Sequence, residues 1–356
     1  MHAAQRHHLI LQRLAAEDSV DAMLLAAEFK MAPMTVRRDL DLLARQGRLV
    51  RVHGGAISLD AAATAAAVVD RPNPKVKTVG VIVPSSHHYF FDVVRAIRDG
   101  ANAAGCRIVV GVSNNDEKLE LDQVKRMLGM VDALIMTPSR DLRAGSPLQR
   151  VLGTAQIPVV VVERAVVQGE GNGEIESVRT DHLYGAELAV RHLATIGHRT
   201  MGLARLPLHR ATRVERGFRQ TTRALGLGEQ HVWVFPDPAR VDPQTAARDV
   251  LTKAREAGCT ALIVHEDDHA AAMVEAAAEA GLRVPQDLAI VAYYDEVAGL
   301  AAVPLTAVRP PKYDLGRVAF GRVLERMQQV IGDEFRAIHS TSLLPTLVVR
   351  QSTETW

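Results

Sequence analysis

The sequence predicts an α/β protein in which a small helical domain with a β-wing precedes a larger body built from doubly wound parallel sheets. Residues 1–58 place apolar side chains at helical spacing and end in a short alternating run before two glycines. From Lys77 onward, short runs of β-branched residues alternate with amphipathic stretches of helical period. Strands separated by helices of that length need right-handed crossovers, which produce a mainly parallel sheet.

Length and composition indicate a globular protein with more than one folding unit. The chain has 356 residues, of which 47% are hydrophobic and 23% are charged. The formal net charge is only +1, but positive charge is concentrated near the N-terminus. Between residues 30 and 55, two acids, Asp39 and Asp41, stand against six basic residues: Lys30, Arg37, Arg38, Arg45, Arg48 and Arg51. This local excess suits a surface that contacts a phosphate backbone.

The two cysteines and the lack of a long apolar segment bear on the compartment. Cys106 and Cys259 each follow a glycine at the start of an expected buried strand. That position favours a small core residue in a reducing compartment over a disulfide or a nucleophile. No stretch approaches the ~20 apolar residues of a membrane span, and the N-terminus has no long apolar signal region. We therefore expect a cytoplasmic protein without a membrane partner.

The first domain, residues 1–58, is predicted to be a winged helix-turn-helix. Its apolar residues fall at helical spacing in three groups: Leu9, Ile10 and Leu14; Met23, Leu24 and Ala27; Val36, Leu40 and Leu43. Pro33 stands at the first position of the third helix, where a missing N–H is harmless, and Gly47 ends that helix. Residues 49–52 then alternate into Gly54-Gly55, which indicates a short β-wing.

An Ala-rich stretch that ends in Arg71-Pro72-Asn73-Pro74 marks residues 59–75 as a linker. The body, residues 76–356, is too long for one sheet of common size, so we expect two lobes that flank a cleft. Gly169 to Gly173 offers a flexible break between them. The expected division gives residues 76–164 and 296–328 to the first lobe, and residues 165–295 and 329–350 to the second. Ligands of such sheets bind beyond the carboxyl ends of the strands.

Two motifs stand out in the first domain, Thr35-Val36-Arg37-Arg38-Asp39-Leu40 and Arg51-Val52-His53-Gly54-Gly55-Ala56. Together with Gly47 they make residues 5–57 resemble the DNA-binding domain of the DeoR-type bacterial regulators. Ala32 stands where that family usually has a serine N-cap, so the third helix lacks a cap worth ~1 kcal/mol.

The body carries a series of motifs whose order and spacing are informative together. They are Val79-Gly80-Val81-Ile82-Val83-Pro84, Phe90-Phe91, Val131 to Ile135, Ile157 to Arg164, Asp181 to Leu193, Gly197-His198-Arg199, Arg216-Gly217-Phe218, Gly281 to Asp287 and Pro304 to Arg309. On these motifs residues 77–350 are similar to the effector domain of the LacI/GalR repressors, a two-lobed fold of the type I periplasmic-binding-protein kind. The sugar-isomerase-like domain usually joined to a DeoR-type head is not what this body resembles.

The third helix and the wing carry the residues expected to contact DNA. The first turns of a recognition helix enter the major groove, where arginine can read guanine and threonine can hold phosphate. The expected contacts are Met34, Thr35, Arg37 and Arg38 from the helix, and Arg48, Arg51 and His53 from the wing. Two alternatives stay open: an arginine could pair with Asp39 or Asp41 and only orient the helix, and the wing cations could form a solvated face.

The resemblance of the body implies an effector cleft lined by polar and aromatic side chains. The expected lining residues are His87, His88, Phe90, Phe91, Glu163, Arg213, Glu266, Asp267, Tyr294 and Asp295. Arg213 lies four residues before Gly217, one more than the family's ligand arginine, and Glu266 and Tyr294 replace a usual asparagine and aspartate. The replacements at Glu266 and Tyr294 indicate an unusual effector, whereas at Arg213 either the loop has shifted by one residue or the ligand role is lost. Glu163 could alternatively be a surface charge at a strand end. The adjacent histidines have no third ligand at useful spacing, so neither a metal nor a cofactor is expected.

The predicted function is a sequence-specific transcriptional regulator, expected to be a repressor, that acts as a homodimer on double-stranded operator DNA. A sugar-like small-molecule effector would favour one arrangement of the lobes and so change the affinity for DNA. The alternative is an α/β enzyme acting on a sugar or nucleoside, but the sequence has no P-loop and no Gly-x-Ser-x-Gly elbow, so no enzymatic activity is expected. A transport solute-binding protein is a third possibility, opposed by the missing signal peptide and the basic head.

Overall fold

The computed structural model describes residues 3–17, 19–29, 31, 33–45, 48–52, 55–57, 76–85, 88–166, 175–207, 211–237, 240–328 and 337–354. The chain divides into two compact units, Met1–Val76 and Lys77–Trp356. The predicted linker 59–75, together with His53 and His87, lies outside the described residues.

The first unit is a helical core closed by a small antiparallel sheet. Its described elements are α1 (Ala3–Glu17), β1 (Ser19–Asp21), α2 (Ala22–Glu28), α3 (Pro33–Arg45), β2 (Val50–Val52) and β3 (Gly55–Ile57), with the strands in the order β1-β3-β2. All three helices contribute to the core, through Ile10, Leu14, Leu25, Val36, Leu40 and Leu43. A Cβ on Gly55 would lie 1.8 Å from the Val20 carbonyl oxygen, so only glycine lets β3 approach β1 this closely. The winged helix-turn-helix is confirmed, with β1 as an additional strand.

The second unit contains two sheets, each of six strands in the part of the chain that is described. The first sheet comprises β4 (Thr78–Val83), β5 (Arg107–Val112), β6 (Ala133–Met136), β7 (Val159–Val162), β8 (Glu176–Thr180) and β14 (Ser340–Leu343), in the order β14-β8-β7-β6-β4-β5. The second comprises β9 (Met201–Arg205), β10 (His231–Val234), β11 (Ala261–His265), β12 (Ala289–Tyr293), β13 (Thr306–Arg309) and β15 (Thr346–Val348), in the order β10-β9-β11-β12-β13-β15. Neighbouring strands run parallel, except that β15 is antiparallel to β13.

Helices cover both faces of each sheet, which confirms the doubly wound architecture. The first lobe has α4 (His88–Ala103), α5 (Glu117–Leu128), α6 (Pro147–Gly153) and α11 (Lys312–Gln328); the second lobe has α7 (His182–Thr195), α8 (Ala211–Ala224), α9 (Pro243–Glu256) and α10 (Asp267–Glu279). One apolar cluster runs through both lobes and includes Val81, Ile97 and Phe320 from the first and Phe218 and Ile263 from the second. Within the described segments, no helix is long and apolar enough to span a membrane.

The chain crosses between the lobes at three places, and these are not where the sequence placed them. The crossings are residues 180–182, between β8 and α7; residues 309–312, between β13 and α11; and residues 343–346, between β14 and β15. The expected boundaries after residues 164, 295 and 328 were wrong, because β8 and β14 extend the first sheet and β13 belongs to the second. The Asp181 amide donates to the Leu343 carbonyl at 2.8 Å, so the first and third crossings lie side by side.

Candidate DNA interface and effector cleft

The outward face of α3 carries the helix residues predicted to read DNA. Met34 is 57% exposed, Arg37 and Arg38 are exposed, and Thr35 is half-buried. The side chains of the same helix that enter the core are Val36, Leu40 and Leu43. Because an α-helix repeats every 3.6 residues, positions 34, 37 and 38 share one stripe. The structure therefore brings an apolar side chain and two guanidinium groups together on one face of the first unit.

Asp39 follows these arginines in sequence but points into the domain. Its carboxylate accepts hydrogen bonds from Arg6 Nε at 2.7 Å and Arg6 Nη2 at 3.1 Å, and it contacts His7 Nε2 at 2.9 Å. Burial alone would raise the pKa of Asp39, but Arg6 and His7 outweigh burial and hold that pKa below its ordinary value. Asp39 therefore does not pair with Arg37 or Arg38, and neither arginine forms an ion pair with another described residue.

The wing is described only in part. Arg48 is exposed and precedes β2, while Arg51 lies in the middle of β2, where the backbone alone is described. His53 lies outside the described residues. Contact of these three side chains with DNA stays a prediction.

A small cavity lies between the two lobes, where strand ends from both sheets converge. Its lining side chains are Tyr89, Phe90, Glu163, Arg164, His182 and Tyr294. Its volume of about 10 Å³ holds roughly one water molecule. Sites for small organic ligands typically have about 300–1,000 Å³. This cavity by itself is therefore too small to hold a sugar.

Three predicted effector residues line this cavity and others do not. Phe90, Glu163 and Tyr294 are at the cavity, whereas Phe91 is 48% exposed and lies away from it. His88 is the first residue of α4 and is described by its backbone alone. Tyr89 and Phe90, neighbours on the first turn of α4, both line the cavity.

Glu163 is a hub of contacts rather than an open carboxylate. Tyr89 Oη donates to its Oε1, Thr180 Oγ1 donates to the same oxygen at 2.5 Å, and His182 Nε2 lies 3.4 Å from Oε2. Burial alone would raise the pKa of Glu163, but His182, Thr180 and Tyr89 outweigh burial and hold it at about 2. The carboxylate is therefore ionised and engaged by protein donors from the first lobe and from the first crossing.

The backbone is strained at three of the predicted effector residues. Glu163, Tyr294 and Asp295 have φ values of 60°, 107° and 56°, a region that residues with a Cβ rarely occupy. The Glu163 amide donates to Val178 O and the Tyr294 amide donates to Val308 O, each at 2.9 Å, so neighbouring strands hold these conformations. Strain of this kind concentrates at ligand sites and switch regions.

Aromatic rings from both lobes meet at the cavity. Tyr89 of the first lobe meets Tyr294 of the second edge-to-face, with 5.2 Å between ring centroids. Tyr294 Oη lies 2.8 Å from His265 Nε2, and His182 Nδ1 lies 3.2 Å from Tyr293 Oη. The sequence did not single out Tyr89 or His182 as lining residues; the signal that could have found His182 is its place directly after Asp181, the N-cap of α7.

Asp267 and Asp295 are committed to the loop that follows β12 instead of to the cavity. Asp267 Oδ2 accepts the amides of Glu296 and Val297, the latter at 3.0 Å. Burial raises the pKa of Asp267 to about 6 despite these bonds. Asp295 makes a bidentate pair with Arg350, at 2.7 and 3.1 Å. Both were predicted to bind effector, but their oxygens stabilise the loop that carries Tyr294.

The other two charged positions predicted in the cleft have different surroundings. Glu266 is the N-cap residue of α10 and makes no side-chain bond to the helix amides. Arg213, on the first turn of α8, reaches across to the first lobe, where its Nη2 lies 3.3 Å from Asp141 Oδ2. Arg213 is therefore a cation between the lobes, as the sequence indicated, and its partner is a carboxylate that the sequence did not single out.

Comparisons with known proteins cover both parts of the chain. A model of the DeoR-like helix-turn-helix domain matches residues 6–62, and a model of the periplasmic binding protein-like domain matches residues 190–353. The arabinose metabolism transcriptional repressor of Geobacillus stearothermophilus is 26% identical over 351 residues, which cover 93% of this chain and 90% of that protein. The structure of a LacI-family regulator from Rhizobium etli is 27% identical, with a TM-score of 0.65, and covers 77% of this chain and 98% of that one. A LacI-family regulator from Enterococcus faecium with bound ribose shares the fold at 21% identity, with a TM-score of 0.62 over 78% of this chain and 98% of that one.

Proposed function

We propose that this chain is a transcriptional repressor that joins a DeoR-like helix-turn-helix domain to a LacI-type effector body. A sugar or related polyol bound between its lobes controls its affinity for operator DNA. The single observation that supports the DNA half best is the outward face of α3. Arg37 and Arg38 project from it while Asp39 is held inside. Two exposed guanidinium groups one residue apart can donate to guanine edges or to phosphates.

The effector half is supported by the cavity between the lobes. Its aromatic walls and its ring of polar groups are the lining that ligand sites use. The relatives named for arabinose metabolism and solved with ribose make pentoses the first effectors to test. Arg213 is the residue we expect to exchange Asp141 for the ligand once the lobes part.

Control of DNA binding would follow from a change in how the two lobes are arranged. An effector larger than a water molecule does not fit this cavity, so we expect its binding there to require that the lobes move apart. A ligand shifts an equilibrium only by its difference in affinity for the two states. The effector would therefore select an open body whose affinity for operator DNA differs from that of the closed body.

We further propose that the protein works as a homodimer in the cytoplasm, where its DNA lies. Among the described strands, β5 forms one edge of the first sheet, with Val109 36% exposed and Val110 45% exposed. A β-branched edge strand is a ready surface for pairing between copies. Two heads on a two-fold axis suit an operator built from repeated half-sites. Light scattering in solution measures this state directly.

The test of the DNA half is a footprint on the upstream region of the gene itself, in the absence and presence of L-arabinose and D-ribose. Arg37→Ala and Arg38→Ala should each weaken specific binding about tenfold or more, because one good arginine–guanine pair discriminates by ~1–3 kcal/mol. The control is Arg98→Ala, which removes an exposed arginine of the body. Tight, specific operator binding by both α3 variants would contradict the proposal.

The relatives named above are transcriptional regulators, and we propose no catalytic role for the cleft. Glu163, the carboxylate among the residues that line the cavity, is held ionised by Tyr89, Thr180 and His182. Turnover of a pentose or nucleoside by the purified protein would revive the enzyme alternative.

A further inference from the structure

We infer that Arg6, on α1, is a positioning residue for DNA recognition: by clamping Asp39 it fixes the rotation of α3 and thereby aims Arg37 and Arg38 at the DNA. Arg6 lies within the stretch that matches a DNA-binding domain but outside its motifs at residues 35–40 and 51–56, and its own guanidinium faces inward. Its part in recognition follows from one contact between two helices, and not from a contact with DNA.

The contact has the geometry of a clamp. Two Arg6 nitrogens meet the two oxygens of Asp39, with Nε to Oδ2 at 2.7 Å and Nη2 to Oδ1 at 3.1 Å. Arg6 is 8% exposed and Asp39 is 7% exposed, so the pair is largely shielded from water and from salt. A planar fork on a carboxylate fixes direction as well as distance, which a single ammonium does not.

The Arg6–Asp39 contact lies on α3 where it can fix the rotation of the helix about its own axis. Asp39 directly follows the two outward arginines and directly precedes Leu40, which is fully buried. The apolar residues of α3 anchor the helix in the core, but apolar packing tolerates small sliding motions better than a bidentate hydrogen-bonded pair does. A roll of about 20° would move a group about 6 Å from the helix axis by about 2 Å. Hydrogen bonds to base edges do not survive such a displacement.

His7 does not replace this function. Its Nε2 lies 2.9 Å from Asp39 Oδ1, so it contacts the same oxygen as Arg6 Nη2. A single contact from the adjacent residue of α1 leaves Asp39 Oδ2 without its partner when Arg6 is removed. The carboxylate would then be free to turn, and α3 with it.

The matched control is a second arginine on α1. Arg13 Nη2 makes two 3.0 Å contacts with Glu28, on α2, and the two side chains are 43% and 46% exposed. This pair also joins two helices of the first unit, but it involves no residue of α3. Arg13→Met therefore removes an arginine of equal charge from the same helix and leaves the Arg6–Asp39 pair in place.

The experiment compares two DNAs for the full-length protein. The specific duplex is one selected by the wild-type chain from a random-sequence library, and the other is a random duplex of equal length at the same salt concentration. Arg6→Met should weaken binding to the selected duplex about tenfold or more and change binding to the random duplex less than twofold, because phosphate contacts tolerate a tilted helix. Arg6→Lys, which keeps the charge but not the fork, should lose part of the discrimination. Arg13→Met should lose none.

Each remaining outcome has a definite meaning. An equal loss on both duplexes, with a lowered melting temperature, would assign Arg6 a purely structural role and overturn the inference, as would retained discrimination in Arg6→Met. If Arg6→Met does not fold, Arg6→Lys decides the question through the ratio of its affinities for the selected and the random duplex. The double variant Arg6→Asp with Asp39→Arg should recover discrimination relative to Asp39→Arg alone. A wild-type chain that selects no duplex would contradict the proposed function instead.

Discussion

Replacing Asp141 by asparagine should make the cleft easier to open and should tighten effector binding. Asp141 follows β6 in the first lobe, and its Oδ2 lies 3.3 Å from Arg213 Nη2 on α8 of the second lobe. Asparagine keeps an oxygen for the Ala165 amide, which donates to Oδ1 at 3.0 Å. The change therefore removes the charge that attracts Arg213 and leaves the loop contact of Asp141 in place.

The size of the effect follows from the burial and geometry of the pair. The two side chains are 24% and 19% exposed, and the contact between them is long for a charge-assisted hydrogen bond. Exposed pairs contribute about 0.2–1 kcal/mol, and partial burial places this pair near the upper end. A change of about 1 kcal/mol in the opening free energy corresponds to about a fivefold change in apparent affinity. Because the cavity is too small for a pentose, an easier opening of the lobes should raise the affinity.

Titration calorimetry of the full chain with L-arabinose and with D-ribose measures this change. The control is Glu117→Gln, which removes a carboxylate whose partner, Arg140, lies in the same lobe, with 2.5 Å between Oε1 and Nε. The control should bind as the wild type does. If Asp141→Asn binds the pentose as weakly as the wild type, or more weakly, the Asp141–Arg213 pair does not oppose opening.

Three further expectations concern stability. Glu163 has a folded pKa of about 2 against an ordinary 4.5, so it contributes up to about 3 kcal/mol of stability above pH 4.5, which is lost as pH falls toward 2. In acid unfolding followed by circular dichroism, Glu163→Gln should lose less stability over this pH range than the wild type does. Asp267 has the opposite effect on the pH dependence of stability: its pKa is raised from 3.8 to about 6, so stability falls as pH rises through that window. Asp267→Asn should remove this part of the dependence of unfolding free energy on pH in urea titrations at several pH values, and an unchanged dependence would contradict this. Gly316→Ala should lower the unfolding free energy by about 1–3 kcal/mol, because the new Cβ would lie 2.2 Å from Val93 O where α11 meets α4. Gly321→Ala is the control on the same helix: its Cβ would have nothing within 4 Å, so it should be neutral or slightly stabilising, and equal melting temperatures for the two variants would refute this.

Sequence periodicity predicted the elements of both units because burial imposes it directly. The runs at Val79 to Val83 and at Ala261 to Val264 could only be strands covered on both faces, and the structure buries them completely. Periodicity did not predict which lobe each strand joins. A short strand such as β8 carries no mark of the sheet it joins, and the glycines at 169–173 suggested a crossing that the chain makes only after Thr180.

The sequence placed candidate effector residues at strand ends, and the structure brings some of them to the cavity while the oxygens of Asp295 bind Arg350. Parallel strands deliver their following residues to one edge, which is why Glu163 and Tyr294 reach the cavity. Asp295 follows Tyr294 in the chain, yet a left-handed backbone turns it toward Arg350. Such conformations depend on distant hydrogen-bond partners, and sequence spacing does not contain them.

The same loop provides a physical route from the cleft to the second crossing. Tyr294 lines the cavity, and Asp295 next to it binds Arg309, the last residue of β13, with 2.6 Å between Oδ2 and Nε. Glu296 binds Lys312, the first residue of α11, so the two charged residues hold both ends of the crossing 309–312. Lys312 Nζ also lies 5.4 Å from the centroid of the Tyr89 ring, so the second crossing contacts a residue that lines the cavity. A ligand that displaced Tyr294 would therefore act on the loop that contacts the crossing 309–312, and these ion pairs are the contacts through which we expect occupancy to be coupled to opening of the body.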